Sequence, residues 1–277
     1  ELLPTAPFET GVPLAMAELS VEGWASAARG IMTTDIVPKA VSKVLDIDGH
    51  AVTITGIAKG SGMIHPNMAT MLGFVATDAD VELSTDDSFN SITVDGDTST
   101  NDACTLTATG KSSLPCITDT NSSAYQLLAQ SVTAVLTELA TMIVRDGEGA
   151  TKFITIEVEE AQDKAEAKQV GFTIAHSPLV KTAFFASDPN WGRILAAVGR
   201  AGLNDLDLLG IRIYLGDVCI VENGGRSSGY TEEQGAAVMK EAEITIRVKL
   251  SRGQAKATIW TCDFSYDYVK INAEYRS

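Results

Sequence analysis

The segment that most restricts how this chain can fold is the stretch from Ser123 to Arg145. Leu127, Leu128, Val132, Val135, Leu136, Leu139, Met142 and Ile143 recur there at spacings of three and four. That period lays one apolar stripe along a long helix, and such a stripe must be covered by a broad apolar partner. Ser122 or Ser123 can cap its start, and Gly147 follows its end. The run from Lys152 to Val158 reads as a strand, so Asp146-Gly147-Glu148-Gly149 forms a tight helix-to-strand turn.

The rest of the chain supplies the partners. Val41 to Ile47 and His50 to Ile57 read as strands around Asp48-Gly49, a dipeptide that favours a two-residue hairpin turn. A glycine-rich turn follows at Lys59 to Gly62, then a continuous apolar run from Thr70 to Thr77, expected to be a strand buried on both faces. Ahead of these, Pro4, Pro7 and Pro13 punctuate the opening, and Val21 to Met32 reads as a short helix. Lys164 to His176 and Trp191 to Gly199 read as helices, the second introduced by Asp188-Pro189-Asn190. Ile211 to Val221, Glu243 to Leu250 and Lys256 to Thr261 read as strands. The expected fold is therefore α+β, a layered sandwich of mainly antiparallel sheets with covering helices.

Charge narrows the function classes. With 36 acidic and 21 basic residues among 277, the formal charge of -15 repels phosphate backbones and anionic lipid surfaces, which argues against nucleic acid or membrane partners. No run approaches about 18 consecutive apolar residues, and the start lacks the layout of a signal peptide, so a soluble, intracellular protein is expected. Cys104, Cys116, Cys219 and Cys262 are scattered, without a CxxC pair, and are read as reduced structural thiols. The sequence opens at Glu1 rather than methionine and is read as a processed or trimmed piece.

Three familiar motifs fail on inspection. Gly225-Arg226-Ser227-Ser228-Gly229 matches the G-x-S-x-G elbow, but His50, His65 and His176 all precede the serine, whereas that fold places its histidine after it. A glycine-rich hairpin loop is the better account. Gly110-Lys111-Ser112 lacks the earlier glycine of a phosphate loop, because Thr105 stands there. Asp95-Gly96-Asp97 with Asn101 and Asp102 has glycine at the wrong position for a calcium loop and Leu106 where the bidentate glutamate belongs. The three histidines have no ligand spacing, so neither zinc nor a histidine base is expected.

A hydroxyl residue heading an apolar strand directly after a glycine turn offers another chemistry. If the chain were cut before Thr70, its new α-amino group, with an ordinary pKa of about 8, would be partly free base near neutrality. The nucleophile would then carry its own base. Read alone, a threonine in that position equally serves packing.

The residues around it decide the matter. Gly56-Ile57-Ala58-Lys59-Gly60-Ser61-Gly62-Met63-Ile64-His65-Pro66-Asn67-Met68-Ala69-Thr70-Met71-Leu72 closely resembles the self-cleavage segment of the ornithine acetyltransferase family, also called glutamate N-acetyltransferase. The same family is echoed in order by Ile31-Met32-Thr33-Thr34-Asp35, by the run from Ser88 to Asp102, by Asp146-Gly147-Glu148-Gly149-Ala150 and by Ser177-Pro178-Leu179-Val180-Lys181-Thr182. Asp188-Pro189-Asn190-Trp191-Gly192-Arg193 and the terminal run from Tyr268 to Ser277 complete the series, so the resemblance spans nearly the whole chain.

What the resemblance implies is specific. The fold would be the N-terminal-nucleophile-like sandwich of that family. Cleavage between Ala69 and Thr70 would divide the chain into residues 1–69, the end of an α piece, and residues 70–277, a β piece headed by the nucleophile, assembled as α2β2. Thr70 would pass acetyl from N-acetylornithine to glutamate in a ping-pong cycle, with acetyl-CoA as a further donor in bifunctional members and with no metal or organic cofactor. Thr33, Lys59, Thr70, Glu148, Asn272 and Ser277 match the family's substrate contacts. The compartment implied is the cytoplasm, or the mitochondrial matrix in a eukaryote. In the family a Ser-Thr-Gly block supplies the oxyanion hole upstream of the position matching Glu1, and a helix usually intervenes where Val81 to Asp87 runs straight into Ser88. The alternatives are a truncated, non-catalytic assembly subunit and a related self-processing aminopeptidase or hydrolase.

Overall fold

The computed structural model of the chain describes residues 4–65, 71–80, 88–98 and 102–275. Two helices, α1 (Ala6–Ala17) and α2 (Trp24–Gly30), precede a four-stranded sheet formed by β1 (Lys39–Ile47), β2 (His50–Lys59), β3 (Leu72–Thr77) and β4 (Ala103–Ala108), hydrogen-bonded in that order. β1 and β2 close on Asp48 (φ 53°) and Gly49 (φ 84°), the pair of left-handed residues that a tight primed turn requires. β2 and β3 run antiparallel, β3 and β4 parallel.

The long helix is α3 (Ser123–Arg145), capped by Ser122, whose side chain accepts from the N–H of Tyr125. Leu128, Val132, Val135, Leu136, Leu139, Ala140, Ile143 and Val144 are buried and share a core with Val52, Ile54, Ala58 and Val75 of the sheet. By length and composition α3 could cross a membrane. Its opposite face, however, carries Gln126, Gln130, Thr137 and Glu138, and its apolar stripe is spent on β1 and β2. It is the cover of a sheet, as the 3.6-residue period requires. Truncating fully buried Leu139 to alanine is expected to cost about 2–5 kcal/mol.

The second sheet runs β10-β5-β9-β6-β7-β8. Its strands are β5 (Phe153–Ala161), β6 (Arg212–Leu215), β7 (Val218–Glu222), β8 (Gly225–Arg226), β9 (Glu243–Lys249) and β10 (Ala255–Cys262). Only β5 and β9 pair in parallel here, so the two sheets together are mainly antiparallel. α4 (Lys164–Ala175), α5 (Pro178–Phe185) and α6 (Trp191–Gly199) cover one face, where Ile154, Ile156, Val158, Val170, Ile174, Ile194 and Ile259 form a core. The other face sends Phe153, Trp260 and Cys262 into the α3 core. The alternation of β5 and β10 thus serves two cores at once and stacks the layers. α7 (Glu232–Val238) and α8 (Tyr266–Glu274) complete the α-helices among the described residues.

Three expectations need correction. Ile211 to Val221 is not one strand: Gly216 (φ 54°) and Asp217 turn the chain, and Leu215 pairs back onto Val218. The described part of Thr70 to Thr77 is not buried on both faces; β3 alternates half-buried and buried residues, because α3 covers one side only. The early helix is shorter than Val21 to Met32, at Trp24–Gly30. The G-x-S-x-G run falls on β8 and the loop after it: Asn223 and Gly224 turn β7 into β8, and Ser227 Oγ donates to Glu222 Oε1 at 2.6 Å. The four cysteines are free thiols, with Cys262 in the core.

Candidate active site

Four chain segments remote in sequence meet where the edges of α3, β1 and β2 come together. The loop between α2 and β1 carries Thr33, Thr34 and Asp35. The end of β2 carries Lys59 and leads into Gly60, Ser61 and Gly62. The turn after α3 carries Asp146, Gly147 and Glu148. α8 carries Asn272.

Hydrogen bonds link all four. Thr34 Oγ1 and Ser61 Oγ lie 2.6 Å apart, the N–H of Glu148 donates to Ser61 O at 2.8 Å, and Asn272 Nδ2 donates to Glu148 Oε2 at 2.9 Å. The Glu148 carboxylate sits against the backbone of Gly62, where an added Cβ would lie 2.5 Å from its Cδ and Oε2. Only glycine admits the carboxylate there, since real Cβ atoms do not approach that closely. Gly149 is required for a second reason: its φ is 69°, and a Cβ would strike the N of Tyr268 in the first turn of α8 at 2.5 Å. The helix bearing Asn272 rests on that glycine.

Beneath these groups lies a buried cation. Lys39 is fully enclosed, and its Nζ lies 2.6 Å from both Asp35 Oδ1 and Asp146 Oδ2. Asp35 also accepts from the N–H groups of Gly60 at 2.8 Å and Thr33 at 3.1 Å, and Asp146 from that of Ile36 at 2.9 Å. Burial pushes the Asp35 carboxyl up, but Gly60, Lys39 and Thr33 outweigh it and hold the group below its ordinary value. The one cation therefore ties the Thr33 loop, the glycine turn and the Glu148 turn into a fixed arrangement.

Lys59 is 8% exposed and pairs across the antiparallel ladder with Leu72, at the head of β3. Beside it, Met71 N donates to Asp102 Oδ1 at 2.6 Å. The acidic run that superficially suggests calcium does other work: Asp95 accepts from Met63 N at 2.7 Å and Ile64 N at 2.9 Å, stapling the chain after the glycine turn.

The structure thus brings Glu148 and Asn272 into contact and joins the Thr33 loop to them through Thr34 and Ser61, with Lys59 at the next residue pair. Ala69, Thr70 and Ser277 lie outside the described residues. Sequence reading missed Asp35, Lys39, Ser61, Asp102 and Asp146. Asp35, Ser61, Asp102 and Asp146 sit inside the quoted motif blocks, whereas Lys39 lies outside every block and only its burial reveals it.

A layered α+β fold with this cluster defines an enzyme of the ornithine acetyltransferase type that the sequence blocks resemble. The comparisons agree. The ArgJ family model matches residues 1–277, and the chain belongs to that family. It is 56% identical, over 286 aligned residues, to the arginine biosynthesis bifunctional protein ArgJ of Pseudomonas syringae pv. tomato, in a match covering all of this chain and 71% of that one. The crystal structure of the arginine biosynthesis bifunctional protein ArgJ from Bacillus halodurans matches with a TM-score of 0.70 at 39% identity, covering 74% of this chain and all of that chain.

Proposed function

We propose that this chain transfers acetyl from N-acetylornithine to glutamate within arginine biosynthesis, using Thr70 as a nucleophile freed by self-cleavage after Ala69. The observation that carries this reading is the joining of the Thr33 loop, the glycine turn, Glu148 and Asn272, which are up to 124 residues apart for the bonded Glu148 and Asn272. Both substrates carry a carboxylate and a cationic amine. A site that draws on an ammonium, Lys59, and a carboxylate, Glu148, suits such zwitterions.

The reaction divides into two balanced halves. Thr70 Oγ attacks the acetyl carbonyl, its proton passes to the α-amine of the same residue, and the amide C–N bond breaks as ornithine leaves with that proton. Glutamate's amine then attacks the ester, releasing N-acetylglutamate and restoring the hydroxyl. No step calls for a metal or an organic cofactor. Ser277 and Thr33 are assigned to the substrate pocket on the family motif. The two pieces are proposed to assemble as α2β2 in the cytoplasm, and the name "bifunctional" carried by the relatives extends the proposal to acetyl-CoA as a second donor.

The test joins two measurements on the full-length protein. Mass spectrometry should find a new N-terminus at Thr70, and incubation with labelled N-acetylornithine should leave an ester on that residue. Thr70→Ala should abolish both. Transfer that persists in the variant overturns the assignment, and release of free acetate regardless of glutamate would favour the hydrolase instead.

A further inference from the structure

Tyr268, in the first turn of α8, reaches the candidate site from both of its ends. Its carbonyl accepts from Asn272 Nδ2 at 3.0 Å, and the same amide nitrogen donates to Glu148 Oε2 at 2.9 Å. Both amide hydrogens of Asn272 are thereby committed, which leaves the amide oxygen as the group it can offer a cationic amine. At the other end, the Tyr268 hydroxyl donates to Asp95 Oδ2 at 3.4 Å, and that carboxylate holds Met63 N at 2.7 Å and Ile64 N at 2.9 Å. A single residue therefore links Asn272 to the chain just beyond the glycine turn.

Both ends of the link are held. The Tyr268 ring stacks on Phe264, with 4.6 Å between centroids and 15° between planes, and Lys181 Nζ lies 4.5 Å from the centroid of that same Phe264 ring. Met63, at the far end, has φ 55°, a left-handed conformation that a residue other than glycine keeps only where its surroundings impose it. The Asp95 carboxylate supplies that restraint. Burial first, then Asp95, Asp97 and Glu148, push the Tyr268 phenol up from its ordinary value, so the hydroxyl stays a donor near neutral pH.

We propose that Tyr268 is a positioning residue for the N-acetylornithine site: its hydroxyl, bonded to Asp95, sets where α8 lies against the glycine turn and so holds Asn272 on Glu148. The inference rests on the acetyl-transfer reading above. A group that only places binding side chains acts alike before and during the chemical step, so its loss raises KM and spares kcat.

The experiment compares the full-length protein with Tyr268→Phe, Asn272→Ala and the double variant, varying N-acetylornithine at saturating glutamate. Phenylalanine keeps the ring on Phe264 and removes only the hydroxyl. In Tyr268→Phe the KM for N-acetylornithine should rise about five- to tenfold, with kcat changed by less than about twofold. Adding Tyr268→Phe to Asn272→Ala should raise KM by less than about twofold further, because one residue acts through the other. A merely structural role lowers the folded fraction instead: kcat per total protein falls, KM stays, and the two losses multiply in the double variant. Either of those results overturns the proposal. If Tyr268→Phe does not fold, Asp95→Asn decides from the other side of the same bond: a raised KM supports the role, and a fall in kcat alone refutes it. Wild-type protein that transfers no acetyl from N-acetylornithine removes the parent reading and this inference with it, whereas wild-type transfer with a KM untouched by Tyr268→Phe removes this inference alone.

Discussion

Two lysines in this protein are almost wholly enclosed, and they are kept in opposite ways. Lys39 lies between two carboxylates, each 2.6 Å from its Nζ. Lys181, in α5 and 1% exposed, has no carboxylate within ion-pair distance among the described residues. Its Nζ donates to Thr261 Oγ1 at 2.9 Å and to the carbonyl of Cys262, and lies 4.5 Å from the Phe264 ring centroid. Burial accordingly pushes the Lys181 ammonium below its ordinary pKa. The first lysine bridges two carboxylates and joins three loops; the second is a long side chain whose charge the core tolerates poorly. Burial alone therefore does not mark a functional cation, and the neighbours decide.

The largest expected effect is at the first site. Lys39→Met strands two enclosed carboxylates and should cost about 3–5 kcal/mol in urea unfolding, with loss of substrate binding in any folded fraction. A cost under about 1 kcal/mol would erase the distinction between the two lysines. Acid should separate the sites by pH window. His176 touches Thr93 Oγ1 at 3.1 Å and His65 edge-on at 4.4 Å between ring centroids. Burial, His65 and Lys181 together push its pKa down to about 4. With the folded value below the unfolded one, the unfolded chain binds more protons between about pH 6.5 and 4, so stability falls as pH drops through that window. The loss should be on the order of 2 kcal/mol, and His176→Phe should flatten it. Asp35 beside Lys39 has a depressed pKa, so its contribution is present above the ordinary carboxylate value and disappears only as pH falls below it. Unfolding midpoints measured from pH 7 to 3 should resolve the two stages. The smallest effect is expected for Lys181→Met, within about 1.5 kcal/mol either way, because removing the cation leaves no stranded charge. A loss as large as that of Lys39→Met would mean that the Phe264 contact does far more than its geometry indicates.

The parts of the fold legible in the sequence were those whose cause is local. The Asp48-Gly49 turn follows from two residues that tolerate positive φ, and α3 from a stripe sustained over its whole length. α5 and α8 were not read as helices, because α8 has no buried residue to give it an apolar period and α5 is a short helix beginning at Pro178. β4 escaped for the same reason: five of its six residues are exposed, and only pairing with β3 makes it a strand. At the candidate site, the motif resemblance pointed to Glu148, Lys59 and Asn272, and the structure puts Asn272 on Glu148. Lys39 was not legible, since a lysine after Val37-Pro38 looks like any solvated residue until Asp146, 107 positions later, closes over it. Asp102 was weighed only as a calcium ligand, because the strand pairing that seats it beside Met71 has no local signature.

The bridge through Lys39 also bears on what a break after residue 69 would leave behind. Lys39 and Asp35 would belong to one fragment and Asp146 to the other, while β2 and β3, on opposite sides of the break, would still be laced together from Ile54 against Thr77 to Lys59 against Leu72. Pulling the fragments apart would expose a continuous sheet edge and divide a three-membered ion cluster into two incomplete ones. Chain scission at that point would thus change the number of polypeptides without loosening the body they form, and the nicked product should migrate as a single particle until denaturant opens both at once.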